Sequence, residues 1–74
     1  RNAVQIRPAI SQTISLEEVA RRWDGVGEIT RNRYFVKLRL AEFLLTLFPD
    51  GRAIIEGTTD LVVAKRVYTQ YVGT

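Results

Sequence analysis

The chain contains no cysteine, no histidine and no methionine. Without cysteine it can form no disulfide, no thiolate metal site and no thiol nucleophile. Without histidine it has no imidazole to act as a general base near neutral pH or to bind a metal. Because the sequence carries no initiator methionine, we expect residues 1–74 to be a single domain excised from a longer polypeptide.

A strong excess of one charge and long apolar runs are also missing. Eleven Lys and Arg residues face eight Asp and Glu residues, which gives a net charge of +3. This is within the range that solubility requires, so a nucleic-acid partner is allowed but not demanded. No apolar run approaches the roughly 20 residues that cross a bilayer, and we expect no membrane partner.

Two segments have the periodicity of amphipathic helices. Ser15 and Glu18 fit a capping box, in which the serine caps free amides and the glutamate reaches back. The last helix is predicted from about Leu61 to Val72, with an N-cap among residues 58–60. The apolar stripes are Leu16, Val19, Ala20 and Trp23 in the first helix, and Leu61, Ala64, Val67, Tyr68, Tyr71 and Val72 in the last.

Alternation with a period of two marks the strands. Val4–Arg7 is predicted to be a short strand that ends at Pro8. The other predicted strands are one around Ile29 and those over 34–40, 43–48 and 52–56, with turns at 31–33 and 41–42. The order β-α-β-β-β-β-α predicts an α+β fold of two layers, with a mainly antiparallel sheet and both helices on one face.

The turn Phe48-Pro49-Asp50-Gly51-Arg52 sets the register of the sheet, because its composition suits a type I turn with Gly51 in the left-handed region. It pairs Phe48 with Arg52, and the turn at 41–42 pairs Leu40 with Phe43. A shift of either register by one residue would bury charges. The predicted core face consists of Val36, Leu38, Leu40, Phe43, Leu45, Leu47, Ala53 and Ile55.

The opposite face of the sheet has no helix left to cover it. Its residues form the candidate protein-contact face: Phe35, Lys37, Arg39, Leu44, Phe48, Arg52 and Ile54. Apolar side chains interleaved with cations tend to mark a contact surface. The alternative is cross-strand packing of Phe35 on Phe48, with cationic stems covering the rings.

No catalytic, cofactor-binding or metal-binding set can be assembled from the sequence. Asp24, Asp50 and Asp60 lie at turns or helix starts, where aspartate is expected for capping. Ser15 has no histidine partner, and the pair Gly25 and Gly27 is not followed by a helix that could bind phosphate. We therefore predict that this chain is not itself an enzyme.

A small nucleic-acid-binding module is the alternative function. Phe35 and Phe48 beside cations on a sheet resemble the way RNA-recognition sheets stack bases. The glycine-framed aromatic signature of those sheets is absent, however, and the strand order along the chain differs.

Residues 45–58, which include the Phe-Pro-Asp-Gly-Arg-Ala core, resemble the carboxyl-terminal tail of ThiF/MoeB/HesA-type adenylyltransferases, the E1-like enzymes. Residues 16–20, 27–32, 64–68 and 71–73 resemble the same tail. The resemblance implies a cytoplasmic parent enzyme that adenylates a ubiquitin-like sulfur carrier in thiamin or molybdenum-cofactor biosynthesis. It implies ATP, Mg and Zn for that parent.

The parts of the family that perform this chemistry are a glycine-rich nucleotide loop and Cys-x-x-Cys zinc ligands, and neither is in this sequence. No catalytic, cofactor or metal residue can therefore be assigned by resemblance. What the resemblance implies is a non-catalytic accessory domain, whose partner is the sulfur carrier or the parent adenylation domain.

Overall fold

A computed structural model describes residues 2–10 and 12–73. The elements are β1 (Ala3–Ile6), α1 (Leu16–Arg22), β2 (Glu28–Arg31), β3 (Val36–Arg39), β4 (Leu44–Leu47), β5 (Ala53–Glu56) and α2 (Leu61–Tyr71). This is the predicted order, and the predicted two-layer α+β fold is confirmed.

The strands form one antiparallel sheet in the order β1-β5-β4-β3-β2. Both predicted hairpin registers are confirmed, since Leu47 lies opposite Ala53 and Leu38 lies opposite Leu45. The amino-terminal strand β1 pairs with β5, so β1 and β2 are the two edge strands of the sheet.

The core lies between the helices and the inner face of the sheet. Six inner-face side chains have no exposed surface: Val36, Leu38, Leu45, Leu47, Ala53 and Ile55. Leu40 and Phe43, which were also predicted in the core, are partly buried at its rim. They flank the connection between β3 and β4.

The helices cover different halves of the inner face and meet at one end. α1 packs on β2 and β3, whereas α2 packs on β1 and β5. The indole Nε1 of Trp23, at the end of α1, donates to the Tyr71 carbonyl at 2.9 Å, and Arg22 donates to the Val72 carbonyl at 3.2 Å. These bonds satisfy carbonyls at the end of α2 that have no partner within the helix.

Each helix begins at a side-chain cap. The Ser15 hydroxyl accepts from the Glu18 amide at 3.2 Å, and the Asp60 carboxylate accepts from the Val62 amide at 2.9 Å. Among the described residues Glu18 makes no return bond, so only half of the predicted capping box is present. Leu61, which was predicted in the apolar stripe of the last helix, is the first residue of α2 and is 51% exposed.

The turn predicted at 31–33 lies instead between Asn32 and Phe35. Arg31 is the last residue of β2 and pairs with Val36. The Asn32 side-chain oxygen accepts from the amides of Tyr34 at 2.7 Å and Phe35 at 3.0 Å. Asparagine makes such local bonds readily, and here they move the turn from 31–33 to 32–35. Tyr34 consequently lies outside β3 and is 66% exposed.

Candidate protein-contact surface

The outer face of the sheet is the side that points away from the helices, and the strand registers order its residues in three rows. The first row lies beside the turns at 32–35 and 48–52 and contains Phe35, Phe48 and Arg52. The middle row contains Gln5, Thr30, Lys37, Thr46 and Ile54. The far row contains Ala3, Glu28, Arg39, Leu44 and Glu56. The structure thus places all seven residues of the candidate face together on one side of the sheet.

Phe35 and Phe48 pack against each other across the strands. Phe35 directly precedes β3 and Phe48 directly follows β4, and their ring centroids lie 6.4 Å apart with the planes at 74°. This is the edge-to-face arrangement that aromatic pairs prefer. Both rings are half-buried, as are Leu44 and Ile54, so the outer face exposes less apolar area than the sequence indicated. The cross-strand packing proposed as the alternative role of these rings is therefore present.

A cation lies over each of the two rings. The Lys37 ammonium is 5.2 Å from the centroid of Phe35, and the Arg52 guanidinium carbon is 4.8 Å from the centroid of Phe48. Both distances are within the range of cation–π attraction. We call these four residues, Phe35, Lys37, Phe48 and Arg52, the aromatic–cation cluster.

Asp50 fixes the orientation of Arg52 within the cluster. Its carboxylate accepts from the Arg52 amide at 3.1 Å and from the Arg52 Nε at 2.9 Å. The backbone hydrogen bond from Arg52 is the main reason that the pKa of Asp50 is lowered; loss of hydration opposes it, and the Arg52 side chain reinforces it. Asp50 therefore stays ionised and holds the guanidinium beside Phe48.

The hairpin turn that carries Phe48 is held from the helix side of the molecule. The Tyr68 hydroxyl donates to the Gly51 carbonyl at 2.7 Å, in a buried hydrogen bond. The Ile14 amide donates to the Pro49 carbonyl at 2.8 Å. Gly51 has a φ of +94°, the left-handed conformation predicted for it. The core and the connection before α1 thus both anchor the turn that presents the cluster.

The charges on the outer face differ from one end to the other. In the far row Arg39 is exposed and lies opposite Glu28, so both signs are present. In the middle row Lys37 lies between the uncharged side chains Thr30 and Thr46. The cluster end of the face is the more cationic one.

The other polar side chains considered as candidates stabilise helix ends or a turn. Ser15 and Asp60 cap the two helices, and Asp50 belongs to the hairpin turn. Within residues 2–10 and 12–73, no group of three or more carboxylates is close enough to hold a metal ion. Neither helix in that part of the chain has the length and apolar character of a membrane span.

Comparison with curated proteins gives a specific match. The chain is 39% identical over 74 residues, 99% of its own length, to the sulfur carrier protein ThiS adenylyltransferase of Bacillus subtilis (strain 168). The predicted resemblance to the ThiF-type adenylyltransferases is confirmed. The chain spans about a fifth of that relative, since the match covers 22% of its length. No protein-family profile and no solved structure matches the chain.

Sequence reasoning missed two functions of buried aromatic residues. Tyr68 and Trp23 were identified only as members of apolar stripes, yet the first bonds the hairpin turn and the second bonds the end of α2. A signal was available, because a buried tyrosine hydroxyl or indole N–H usually has a hydrogen-bond partner. The partner itself could not be read from the sequence, because each bond joins residues far apart along the chain.

Proposed function

We propose that this chain is a non-catalytic accessory domain of an E1-like enzyme that adenylates a ubiquitin-like sulfur carrier. The observation that carries the proposal is the 39% identity, over almost the whole chain, to a protein whose name states that it adenylates the sulfur carrier ThiS. In this proposal ATP, Mg and Zn are bound by other parts of a cytoplasmic parent enzyme. Its pathway is thiamin or molybdenum-cofactor biosynthesis.

The positions of the polar side chains support a non-catalytic function. Ser15 and Asp60 are occupied as helix caps, and Asp50 is occupied by Arg52. The sequence also has no cysteine or histidine to provide a nucleophile or base near neutral pH. We propose that chemistry takes place in the parent adenylation domain and that this domain supplies contacts.

We propose the outer face of the sheet as the surface that makes those contacts. The inner face is covered by both helices, whereas the outer face combines half-buried apolar side chains with exposed Arg39. Aromatic residues and arginine are enriched in protein interfaces. The partners we propose are the sulfur carrier or the parent adenylation domain.

Calorimetric titration of the carrier into the full chain tests this proposal. The Phe48→Ala variant should lose at least about tenfold in affinity, as expected for an aromatic anchor in an interface. Val62→Ala is the matched control, because Val62 is 65% exposed on the helix layer and should leave affinity unchanged. If Phe48→Ala lowers the free energy of unfolding but binds as the wild type does, the ring serves only cross-strand packing.

Binding of single-stranded nucleic acid remains the second candidate function. The observation that favours it is that two aromatic rings share one face with Lys37, Arg39 and Arg52. Titration with short single strands at about 50 and about 200 mM salt discriminates, because phosphate contacts weaken steeply as salt rises. Tight, salt-sensitive binding of the strands, with no binding of the carrier, would support this candidate instead.

A further inference from the structure

We infer that the aromatic–cation cluster recognises an acidic segment of a protein partner, one that carries carboxylates beside an apolar side chain. The inference rests on the proposed function for its setting, a protein contact on the outer face, and it names the chemistry of the partner. Three observations carry it: the state of the two cations, the distribution of charge along the face, and the way in which the phenyl rings are occupied.

Lys37 provides a cation without a carboxylate partner. Its ammonium makes no ion pair with any residue in the described part of the chain, and both of its cross-strand neighbours are threonines. The ring of Phe35 holds it in place at 5.2 Å. An ammonium that contacts only an aromatic ring keeps most of its charge available, because cation–π attraction is weaker than a charge-assisted hydrogen bond.

Arg52 provides the second cation, and part of its guanidinium is free. Asp50 takes the Nε proton, while the terminal amino groups donate to no other described residue. The Arg52 side chain is 39% exposed, so a partner can reach it. Two parallel N–H groups on a planar guanidinium suit the two oxygens of a carboxylate.

The far end of the face attracts an acidic partner less strongly than the cluster end. In the far row Arg39 lies directly opposite Glu28, so the cation there faces a carboxylate of this chain, whereas Lys37 lies between two threonines. This difference directs the carboxylates of a bound segment toward the cluster end. Between the two ends lie the apolar side chains of Ile54 and Leu44, which can contact the apolar part of that segment.

The contacts that the two phenyl rings already make favour a protein partner over a nucleic acid. Stacked bases need an open face on an aromatic ring. Here Lys37 lies over Phe35, Arg52 lies over Phe48, and the rings also meet each other edge to face. Carboxylate side chains need only the cations, which remain accessible.

Amide NMR titrations of the full chain with three short peptides test the inference. The peptides share one leucine and differ only in their flanking residues: Asp and Glu, Asn and Gln, or Lys. We expect the acidic peptide to shift the amides of residues in the cluster and to bind at least about fivefold more tightly than the neutral one. Raising salt from about 50 to about 200 mM should weaken the acidic peptide selectively.

Substitutions at Lys37, with a control substitution at Lys65, test whether the Lys37 charge binds the peptide. Lys37→Glu should weaken the acidic peptide at least about tenfold, and Lys37→Met, which keeps an unbranched stem over Phe35, should weaken it by a smaller factor. Lys65→Glu makes the same charge change at an exposed position on α2 and should leave binding unchanged. Preference for the lysine peptide or for a short oligothymidylate, or equal binding by Lys37→Glu, would overturn the inference.

Titration with the sulfur carrier separates this inference from the proposed function. A carrier that binds the outer face of the wild type and of Lys37→Glu equally would overturn the inference and leave the proposed function intact. If the carrier fails to bind while the acidic peptide binds at the cluster, the carrier is excluded as the partner proposed above and the chemistry inferred for the cluster stands.

Discussion

Tyr68 is the residue that joins the helix layer to the hairpin on which the outer face depends. Its side chain is only 5% exposed, and its hydroxyl reaches the Gly51 carbonyl at 2.7 Å. The bond satisfies a backbone carbonyl that the turn leaves without another partner among the described residues. Loss of hydration on burial, aided by the nearby charge of Asp50, raises the pKa of Tyr68 above its ordinary value of 10.0.

Removal of the Tyr68 hydroxyl should destabilise the fold measurably. Tyr68→Phe keeps the ring and leaves the buried Gly51 carbonyl unpaired, which should cost about 1–2 kcal/mol in the free energy of unfolding. Tyr34→Phe is the matched control, because Tyr34 is 66% exposed and its hydroxyl bonds no described residue. Urea denaturation of both variants measures the difference, and equal losses would contradict the importance given to the Tyr68 bond.

The same hydroxyl should make stability depend on alkaline pH. Because the pKa of Tyr68 is higher in the folded chain than in the unfolded one, its contribution is complete below pH 10.0 and is lost as pH rises through the folded value. The free energy of unfolding of the wild type should therefore fall more steeply above pH 10.0 than that of Tyr68→Phe. Parallel pH profiles for the two proteins would show that Tyr68 is not perturbed.

Gly57 directly follows β5 and allows close packing where the strand ends. It has a φ of +114°, and a Cβ at this position would collide with the backbone carbonyl oxygen of Glu42 in the neighbouring connection. Its amide donates to the Asn2 carbonyl at 2.9 Å, which also ties β1 to the sheet. The close packing of three chain segments therefore depends on a residue without a side chain.

Alanine at Gly57 should be far more disruptive than alanine at Gly25. Gly25 also has a positive φ, +84°, but no atom lies within 4 Å of a Cβ built there, so Gly25→Ala should cost only backbone strain of about 1–2 kcal/mol. Gly57→Ala adds a collision with backbone and should cost about 3 kcal/mol or more. Thermal unfolding of the two variants compares them; similar melting temperatures would show that the connection at Glu42 yields easily.

The elements themselves were largely predictable from local patterns. The hairpin register followed from the Pro49-Asp50-Gly51 turn and from alternation with a period of two, which fixes which side chains share a face. The pairing of β1 with β5 was not predictable, because it joins residues about 50 positions apart and no local pattern specifies it. The turn at Asn32 was misplaced because side-chain bonds to the backbone, not strand alternation, decide where it lies.

The candidate surface was predictable in its membership but not in its exposure. Parity along each strand was enough to place Phe35, Lys37 and Phe48 on one face. How much of each side chain remains exposed depends on rotamers and on contacts between neighbours, such as Lys37 over Phe35 and the edge-to-face rings. The sequence therefore indicated a broad apolar surface, and the structure has a smaller one in which cations and rings already pack together.

The two layers of the fold have different properties. The helix layer completes the core and anchors the hairpin turn, and the outer face of the sheet is left without a covering layer in the described part of the chain. The similarity to a ThiS adenylyltransferase extends over 99% of the chain, so it includes both layers. The function proposed above requires such an uncovered surface.

The most direct test of this account is an amide chemical-shift map of the labelled full chain titrated with the ubiquitin-like sulfur carrier. We expect the largest shifts on the outer face, at Lys37, Thr46, Phe48 and their row neighbours, with little change along α1 and α2. Shifts confined to the helices, or no shifts at saturating carrier, would contradict the claim that this sheet face is the protein-contact surface.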